Sequence, residues 1–179
     1  MVIPEINIKR ATPDDAGLIS HLSKNTFEDT FRGTCTDEDL QSFVDSIFSP
    51  AAILNDLKDE NDFYFIARFN SVAAGYMRLK EDYTEYTQIK KYNALELKRI
   101  YVLKEYQSKK VGAALMSYAL QFASEKKYEV IWLGVWEHNE KAKSFYQKWG
   151  FIDTGDSHPF PIGNTPQTDN WLIKFIENT

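Results

Sequence analysis

Hydrophobic and polar residues follow two different periods along this chain, and these periods predict both strands and helices. Isoleucine alternates with polar residues over 6–9, which predicts a first strand. Aromatic and β-branched residues are frequent over 62–69 and 72–80, and Asn70 and Ser71 separate these two segments. We therefore expect an antiparallel hairpin at this point of the chain.

Three helices are predicted between the first strand and the hairpin. Thr12 precedes a proline, as is typical of a helix start, and this helix should run to about Thr30. Thr36 is the expected cap of a second helix, with Asp39 three residues later as a weak form of the capping box. A third, short helix should begin after Ser49, where a proline occupies the first helical position.

The second half of the chain alternates predicted strands with predicted helices. The segments are a strand over 94–103, an amphipathic helix over 108–126, a continuous apolar strand over 130–135, a helix over 139–149, a short strand near Phe151 and a closing strand over 169–175. Residues 81–93 and 156–167 lack a clear period, so we expect loops there. The order β, helices, β, β, β, α, β, α, β, β indicates an α/β (α+β) protein.

Length and composition favour one ordinary domain. The 179 residues are 43% hydrophobic and 15% aromatic, and no linker rich in proline, serine or glycine divides them, so we expect a single domain over residues 1–179. No apolar run approaches the roughly 20 residues that span a bilayer, and the first residues lack the features of a signal peptide. The expected location is the cytoplasm, without a membrane partner.

Charge and cysteine content exclude several classes of function. The formal net charge of −5 disfavours binding to a nucleic acid, which requires clustered lysine and arginine, and makes a cationic partner more natural. Cys35 is the single cysteine, so the chain has no disulfide framework and no thiolate cluster. The three histidines show no metal-ligand spacing with acidic residues, and no metal is expected.

An anion-binding turn is predicted where the strand over 94–103 leads into the helix over 108–126. The first turn of a helix has backbone N–H groups without intrahelical partners, and the aligned peptide dipoles add about half a positive charge there. Such a helix end binds phosphate, and Lys109 and Lys110 add further charge. We therefore interpret residues 107–112 as a cradle for a pyrophosphate.

Two motifs in the second half of the chain carry a resemblance to a known family. The turn reads Gln107-x-x-Lys110-x-Gly112-Ala113, and the later helix reads Asn139-x-x-Ala142-x-x-Phe145-Tyr146-x-x-Trp149-Gly150-Phe151. Together with the element order, they resemble the GNAT superfamily of acetyl-CoA-dependent N-acetyltransferases over nearly the whole chain. Within it, the chain is most similar to bacterial spermidine/spermine N-acetyltransferases of the PaiA type. The resemblance implies a mixed, mostly antiparallel central sheet of about seven strands flanked by helices.

The resemblance also implies that acetyl-CoA is the cosubstrate, and it assigns residues to this molecule. The backbone of Ile100, Tyr101 and Val102 would hydrogen-bond the pantetheine arm, much as an added strand would. The turn whose main-chain amides would take the pyrophosphate consists of Gln107, Ser108, Lys109, Lys110, Val111, Gly112 and Ala113. The family usually has glycine where Lys110 stands. Because a lysine would be strained at a positive φ, we expect Lys110 to adopt a negative φ, which a lysine tolerates without strain.

Asn139 and Tyr146 are two helical turns apart and share one face of the predicted helix. The family pattern makes Asn139 a ligand of the CoA arm and Tyr146 the acid that protonates the departing thiolate. A phenol suits this task because it is protonated at neutral pH and can donate to a sulfur anion. The alternative is that Tyr146 is only a core aromatic beside Phe145 and Trp149.

Glu96 is the candidate for the group that receives the proton of the acceptor amine. An alkylamine with a pKa of about 10.4 is almost entirely charged at pH 7, and only its neutral form attacks a thioester. Strand alternation with Lys98 and Ile100 would direct Glu96 into the cleft. Glu28 and Glu137 remain alternative bases.

The expected acceptor is a small polycationic amine, such as spermidine or spermine. Family likeness and the acidic residues over 27–45 and 81–85 support this expectation. The aromatic residues that would add cation–π contacts are Phe31, Tyr83 and Tyr86. Two alternatives remain, namely acetylation of a protein lysine or N-terminal amine, and a non-catalytic module that senses acyl-CoA. The C-terminal tail, which includes His158, either lines the active site or forms the edge of a homodimer.

Overall fold

A seven-stranded sheet is the centre of the computed structural model, which describes residues 5–177. The strands are β1 (Ile6–Arg10), β2 (Asp62–Phe69), β3 (Val72–Lys80), β4 (Ala94–Val102), β5 (Val130–Trp136), β6 (Ile152–Pro159) and β7 (Thr168–Phe175). The α-helices are α1 (Ala16–Phe31), α2 (Asp37–Ile47), α3 (Pro50–Lys58), α4 (Val111–Glu125) and α5 (Glu140–Lys148). Neighbouring strands follow the order β1-β2-β3-β4-β5-β7-β6, and β4–β5 is the one parallel pair among the described residues. The predicted mixed, mostly antiparallel sheet is therefore confirmed.

Short-range hydrogen bonds fix the helix starts that the sequence indicated. The Thr36 hydroxyl accepts a hydrogen bond from the N–H of Asp39 at 3.1 Å, and the Ser49 hydroxyl caps α3 in the same way. Ahead of α1, the Asp15 carboxylate accepts a hydrogen bond from the N–H of Thr12 at 2.8 Å. Each contact satisfies a backbone donor that has no partner within its helix.

Helices cover both faces of the sheet and bury two apolar clusters. Helix α4 lies on one face, and its Leu115 and Met116 belong to a fully buried cluster that includes residues of β2 to β5. Helices α1, α2 and α3 lie on the other face around Ile19, Val44 and Ile53, which have no exposed surface. Within residues 5–177, no helix has the length and apolar character needed to cross a membrane.

The parallel pairing of β4 with β5 is short, and its end opens the sheet. The last paired residues are Glu96 and Trp132, although β4 continues to Val102 and β5 to Trp136. Strand β5 stays paired with β7 along its whole length. The edge of β4 beyond Glu96 has no neighbouring strand on that side in the described part of the chain. A gap therefore separates two adjacent strands.

A β-bulge at Lys98 changes the direction of the side chains along β4. Strand β3 pairs with the residues on either side of Lys98 but not with Lys98 itself. Simple alternation would place Glu96 and Ile100 on the same face. The bulge instead directs Ile100 to the cluster beneath α4, while Tyr101 joins the cluster on the α1 side. The alternation predicted for Glu96, Lys98 and Ile100 is therefore wrong beyond Lys98.

The regions predicted as loops contain more structure than expected. Residues 156–159 belong to β6, and residues 87–91 form a 3₁₀ helix. The pairing of β6 with β7 shifts register between Asp153 and Ser157, and Gly155 within this interval has a φ of +80°. Such a bulge interrupts the two-residue alternation by which a strand is recognised in a sequence.

A buried ion pair connects the β2–β3 hairpin to α3. The Arg78 guanidinium donates to the Asp62 carboxylate at 2.9 and 2.5 Å, and both side chains are almost fully buried. The carboxylate of Asp56 on α3 lies 3.1 Å from the same guanidinium. Removing one partner of a buried pair is costly, because the remaining charge then stays in a medium that solvates it poorly.

We expect Asp62→Ala to lower the free energy of unfolding by about 3 kcal/mol, because Arg78 would remain buried with weaker compensation. The matched control is Asp45→Ala, which removes the exposed partner of Lys24 at 2.6 Å and should cost much less. Chemical denaturation of both variants measures the difference. Equal losses would contradict the view that burial makes the Arg78 pair important.

Candidate active site

The gap between β4 and β5 is part of a cleft of about 820 Å³. Its walls come from α1, α2, β4, β5 and β7, together with the N-terminal ends of α4 and α5. The predicted site residues that line it are Glu96, Ile100, Tyr101, Val102, Gln107, Ser108, Lys110, Gly112, Ala113, Asn139 and Tyr146. The side chains of Lys109 and Val111 lie elsewhere: the Lys109 ammonium sits over the rings of Phe69 and Tyr106, and Val111 is in the core.

The N-terminus of α4 directs backbone donors into this cleft. The first hydrogen bond of the helix runs from the N–H of Ala114 to the carbonyl of Lys110 at 2.9 Å. The N–H groups of Ser108 and of residues 110–113 have no acceptor within the described chain. Those of Gln107 and Lys109, which were also predicted to bind the pyrophosphate, instead donate to the backbone carbonyls of residues 103 and 106, so the prediction is wrong for these two amides. The helix dipole adds partial positive charge at the same end. This end of the cleft therefore suits a phosphate group.

Ser108 and Lys110 both have left-handed backbone conformations, with φ of +67° and +65°. The expectation of a negative φ for Lys110 is therefore wrong. Left-handed residues in a turn direct neighbouring N–H groups toward one side, which creates a concavity for an anion. A residue with a Cβ is strained there by about 1 kcal/mol relative to glycine. In exchange, Lys110 contributes a positive charge to the lining.

Gln107 connects the turn to the elements on either side of it. Its amide nitrogen donates to the Val102 carbonyl at 3.1 Å, and its amide oxygen accepts from the Lys141 ammonium at 2.5 Å. Lys141 on α5 thereby becomes a further positive charge of the lining. The sequence analysis did not identify Lys141, because a lysine in the first turn of a helix is too common to indicate a site.

The free edge of β4 lies beside this turn. Ile100, Tyr101 and Val102 pair with β3 on one side and have no strand on the other within residues 5–177. An extended ligand can add to such an edge through main-chain hydrogen bonds. The side chains themselves pack: the Tyr101 ring lies 6.0 Å from that of Tyr76, and Ile100 and Val102 contact the cluster beneath α4.

Helix α5 carries Asn139 at its start and Tyr146 two turns later. The side-chain oxygen of Asn139 accepts a hydrogen bond from the N–H of Ala142 at 3.0 Å, so this residue caps the helix as well as lining the cleft. The Tyr146 ring contacts the rings of Phe145 and Phe151 edge-on. Tyr146 therefore both packs in the core and lines the cleft.

Burial keeps the phenol of Tyr146 protonated. It raises the pKa of this group well above the usual tyrosine value, and the negative charge of Asp169 raises it further. A phenol with such a high pKa is a hydrogen-bond and proton donor at neutral pH rather than a base.

Glu96 is a buried carboxyl group with a single cation nearby. It is 3% exposed, and the Lys98 ammonium lies 3.4 Å from its carboxylate and 3.1 Å from that of Glu85. Burial raises the pKa of Glu96 to about 7, with a further contribution from Glu85 that Lys98 opposes. A carboxyl group with this pKa can exchange protons near neutral pH.

Asp169 on β7 is a cleft residue that the sequence analysis did not identify. Burial, and then the charges of Glu85 and Glu96, raise its pKa to about 7. A Cβ built at Gly134 would lie 2.9 Å from Oδ2 of Asp169 and 2.7 Å from Cζ3 of Trp171. A glycine inside an apolar strand is the sequence signal for such a close approach.

The wall formed by α1, α2 and the region after β5 is mainly aromatic. Its aromatic residues are Phe27, Phe31, Phe43, Phe48, Trp136 and Phe160. Of the three residues predicted to contact a cation, Phe31 lines the cleft. The Tyr83 hydroxyl instead donates to the Ala94 carbonyl, and the Tyr86 hydroxyl donates to Asp156.

The acidic segments predicted to bind the acceptor contribute less to the cleft than expected. Asp29 and Glu85 line it, as does His158. The other described acidic residues of those segments, and the alternative bases Glu28 and Glu137, lie outside the lining. They occupy exposed or half-buried positions of helices and loops outside the cleft, so an acidic segment of the sequence does not by itself indicate which carboxylates reach the cleft.

Known families and relatives match the chain over most of its length. A model of the acetyltransferase (GNAT) family matches residues 24–151. An uncharacterized N-acetyltransferase of Lactobacillus delbrueckii subsp. lactis is 31% identical over 171 residues, which cover 96% of this chain and 98% of the relative. A spermidine N(1)-acetyltransferase of Thermoplasma acidophilum is 26% identical over 160 residues, which cover 87% and 94%.

Solved structures share the fold over nearly the whole chain. The PaiA N-acetyltransferase of Thermoplasma acidophilum, in complex with coenzyme A, has a TM-score of 0.78 at 22% identity and covers 96% of this chain and 99% of its own. The ribosomal-protein-S18-alanine N-acetyltransferase of Escherichia coli has a TM-score of 0.69 at 15% identity, with 98% and 96% covered. At these identities the likeness concerns the fold.

We expect Lys110→Gly to raise the free energy of unfolding by about 0.5–1 kcal/mol, because glycine adopts the left-handed conformation without strain from a Cβ. Lys109→Gly is the matched control. Lys109 does not have a positive φ, so glycine there should lower stability through backbone entropy. Chemical denaturation reports both changes, and a loss of stability in both variants would contradict the strained conformation of Lys110.

Proposed function

Because this chain belongs to the acetyltransferase (GNAT) family, we propose that it moves the acetyl group of acetyl-CoA directly to a primary amine, a polyamine such as spermidine or spermine. One arrangement carries this proposal: the free edge of β4 runs from the anion-binding N-terminus of α4 toward Tyr146 within one cleft. No covalent intermediate on the protein takes part. Cys35 lies outside the cleft lining, and burial raises the pKa of its thiol.

Acetyl-CoA is an extended cosubstrate with its charge at one end, and the cleft has the corresponding arrangement. The pyrophosphate binds the N–H groups of Ser108 and of residues 110–113, which have no acceptor in the described chain, and Lys110 and Lys141 add positive charge. The pantetheine arm adds to the backbone of residues 100–102, as a peptide adds to a sheet edge. The side-chain NH₂ group of Asn139 is not used by its helix cap and donates to the arm.

The reaction requires one group that accepts a proton and one that donates a proton. The acceptor amine arrives as an ammonium ion and must lose a proton before its nitrogen can attack the thioester carbonyl. Glu96 receives this proton, since burial holds its pKa at about 7. Tyr146 donates its phenol proton to the departing thiolate and so prevents the reverse reaction.

The acceptor end of the cleft supports a cationic substrate. Glu85, Glu96 and Asp169 line this end, and Lys98 lies between the first two. A partly exposed ion pair contributes only about 0–1 kcal/mol, so selectivity requires several carboxylates that act together. The aromatic wall can contact the methylene segments and the ammonium groups of a polyamine. The spermidine N(1)-acetyltransferase of Thermoplasma acidophilum, 26% identical to this chain, is consistent with this substrate class.

We expect release of free thiol from acetyl-CoA when spermidine or spermine is added, and much slower release with aminoglycosides or with peptides that carry a lysine or N-terminal amine. A colourimetric thiol assay over this panel measures the preference. Activity on peptides alone would overturn the polyamine proposal while leaving the acetyltransferase activity intact. Binding of coenzyme A without thiol release from any amine would favour a non-catalytic acyl-CoA sensor.

We expect Glu96→Gln to lower turnover by about 10² or more, because the ammonium ion would lose its proton acceptor. The affinity for acetyl-CoA should change little, since Glu96 lies away from the N-terminus of α4. Steady-state kinetics and calorimetric titration of coenzyme A measure the two quantities. Glu137→Gln is the matched control outside the cleft lining and should leave both unchanged. Unchanged turnover in Glu96→Gln would remove Glu96 from the reaction.

A further inference from the structure

Asp169 differs from every other carboxylate of the cleft in its surroundings. Asp29, Glu85 and Glu96 each contact a lysine, whereas Asp169 has neither a hydrogen-bond donor nor a cation on its carboxylate within the described residues. Structural carboxylates that are buried are usually paired, as Asp62 is. An unpaired carboxylate in a cleft destabilises the fold, so its presence indicates a role toward a ligand.

Strand β7 carries Asp169 into the cleft across β5. Asp169 pairs with Trp136 on β5 and with His158 on β6. The missing side chain of Gly134 leaves room for the carboxylate, since a Cβ there would lie 2.9 Å from Oδ2. The carboxylate can therefore extend over β5 to the gap beside β4, where Glu96 is located.

Asp169 interacts electrostatically both with the acidic residues of the cleft and with Tyr146 of α5. The titratable groups around it are Glu85, Glu96, Lys98, Tyr101, Tyr146 and His158. Burial raises the pKa of Asp169, the two glutamates add to this effect and the lysine opposes it. Asp169 in turn raises the pKa of Tyr146. The Nδ1 atom of His158 is buried and lacks a hydrogen-bond partner among residues 5–177, so a second polar group is free beside Asp169.

We propose that Asp169 is the second half of a two-carboxylate proton acceptor, in which it and Glu96 together remove the proton of the acceptor ammonium beside Tyr146. This inference rests on the proposed acetyl transfer at the same site. Two carboxylates that interact in one cleft titrate as a pair rather than singly. The pair shares the proton: Lys98 stabilises the negative charge of Glu96, and no lysine contacts the carboxylate of Asp169 within the described residues.

The proton balance of the reaction requires an acceptor of this kind. The ammonium R–NH₃⁺ gives one proton to the pair of carboxylates, Glu96 and Asp169, and becomes R–NH₂. The nitrogen lone pair then forms the C–N bond to the thioester carbon, and the C–S bond breaks. The thiolate takes the phenol proton of Tyr146, whose phenolate recovers the second proton of the nitrogen. The products are the N-acetyl amine, CoASH and one proton, which leaves the pair of carboxylates for solvent.

Non-additivity of variants tests the pairing of the two carboxylates. With a primary alkylamine that the wild type acetylates, Asp169→Asn and Glu96→Gln should each lower kcat by about 10² or more. The double variant should lose little beyond either single variant, because residues that act as a unit are strongly non-additive. Losses that multiply in the double variant would overturn the pair, and an unchanged kcat in Asp169→Asn would overturn the role of Asp169.

A weakly basic amine separates proton acceptance from a structural role. Trifluoroethylamine is largely neutral at pH 7, because its three fluorines withdraw electrons from the nitrogen, and it needs no proton acceptor before attack. Asp169→Asn should therefore acetylate it at a rate within a few-fold of the wild type, while remaining impaired with the alkylamine. Equal impairment with both amines would show that Asp169 acts on the shape of the cleft and would overturn the proposal.

Stability provides an independent readout. The folded-state pKa of Asp169, about 7, lies above the unfolded value of about 3.9, so this group lowers the stability of the fold as the pH rises from about 4 to about 7, and its full destabilising effect is present above that range. Asp169→Asn should accordingly be at least as stable as the wild type at pH 8. Lower stability at that pH would contradict an unpaired carboxylate. The exposed Asp14→Asn is the control for both stability and kinetics.

The kinetic comparison also separates this inference from the substrate proposal. Acetylation of a simple alkylamine without acetylation of spermidine would overturn the polyamine assignment, and the Asp169 variants would still be decided with the alkylamine. A wild type that acetylates no amine would overturn both proposals.

Discussion

The early end of the pairing between β4 and β5 is the constraint on which the site depends. After Glu96 and Trp132 the two strands no longer pair with each other, while β5 stays paired with β7 and β4 stays paired with β3 on their other edges. The separation creates a free strand edge, gives the cleft its depth and brings the N-terminus of α4 to one end of that edge. The bulge at Lys98 also interrupts the simple alternation of side chains along β4, so the side chains after Lys98 lie on the opposite face from the one that alternation would give. The site is therefore a property of strand pairing more than of any single side chain.

Charge in the cleft is divided between its two ends. Backbone N–H groups, the dipole of α4 and the lysines at 110 and 141 make one end positive, which matches the phosphates of coenzyme A. The other end contains carboxyl groups whose pKa values burial raises to about 7, namely those of Glu96 and Asp169. The same chain keeps Asp62 fully paired with Arg78 in the core. Carboxyl groups that exchange protons near neutral pH are thus concentrated where the proposed proton transfer from an amine would use them.

Much of the fold and part of the site were predictable from local sequence. Helix starts at Thr36 and Ser49 followed from capping residues, and the β2–β3 hairpin followed from strand composition and a short turn. Sequence reasoning was wrong where geometry depended on a bulge or a strained residue. The left-handed conformation of Lys110 is one case, and the strand hidden in residues 156–159 is another. Neither feature can be recognised in the local sequence. A lysine does not indicate the φ of its own backbone, and a bulge interrupts the alternation by which a strand is recognised.

The sequence by itself determined the order of the elements, the family motifs and the position of the turn proposed to bind an anion, because apolar periodicity, caps and helix dipoles act over a few neighbouring residues. The tertiary structure decided which distant groups share the cleft. It placed Asp169 in the same cleft as Glu96 and left Tyr83 and Tyr86 out of the lining. The physical reason is that such contacts depend on strand order, register and the room above Gly134, which arise only when segments far apart in the chain pair with one another.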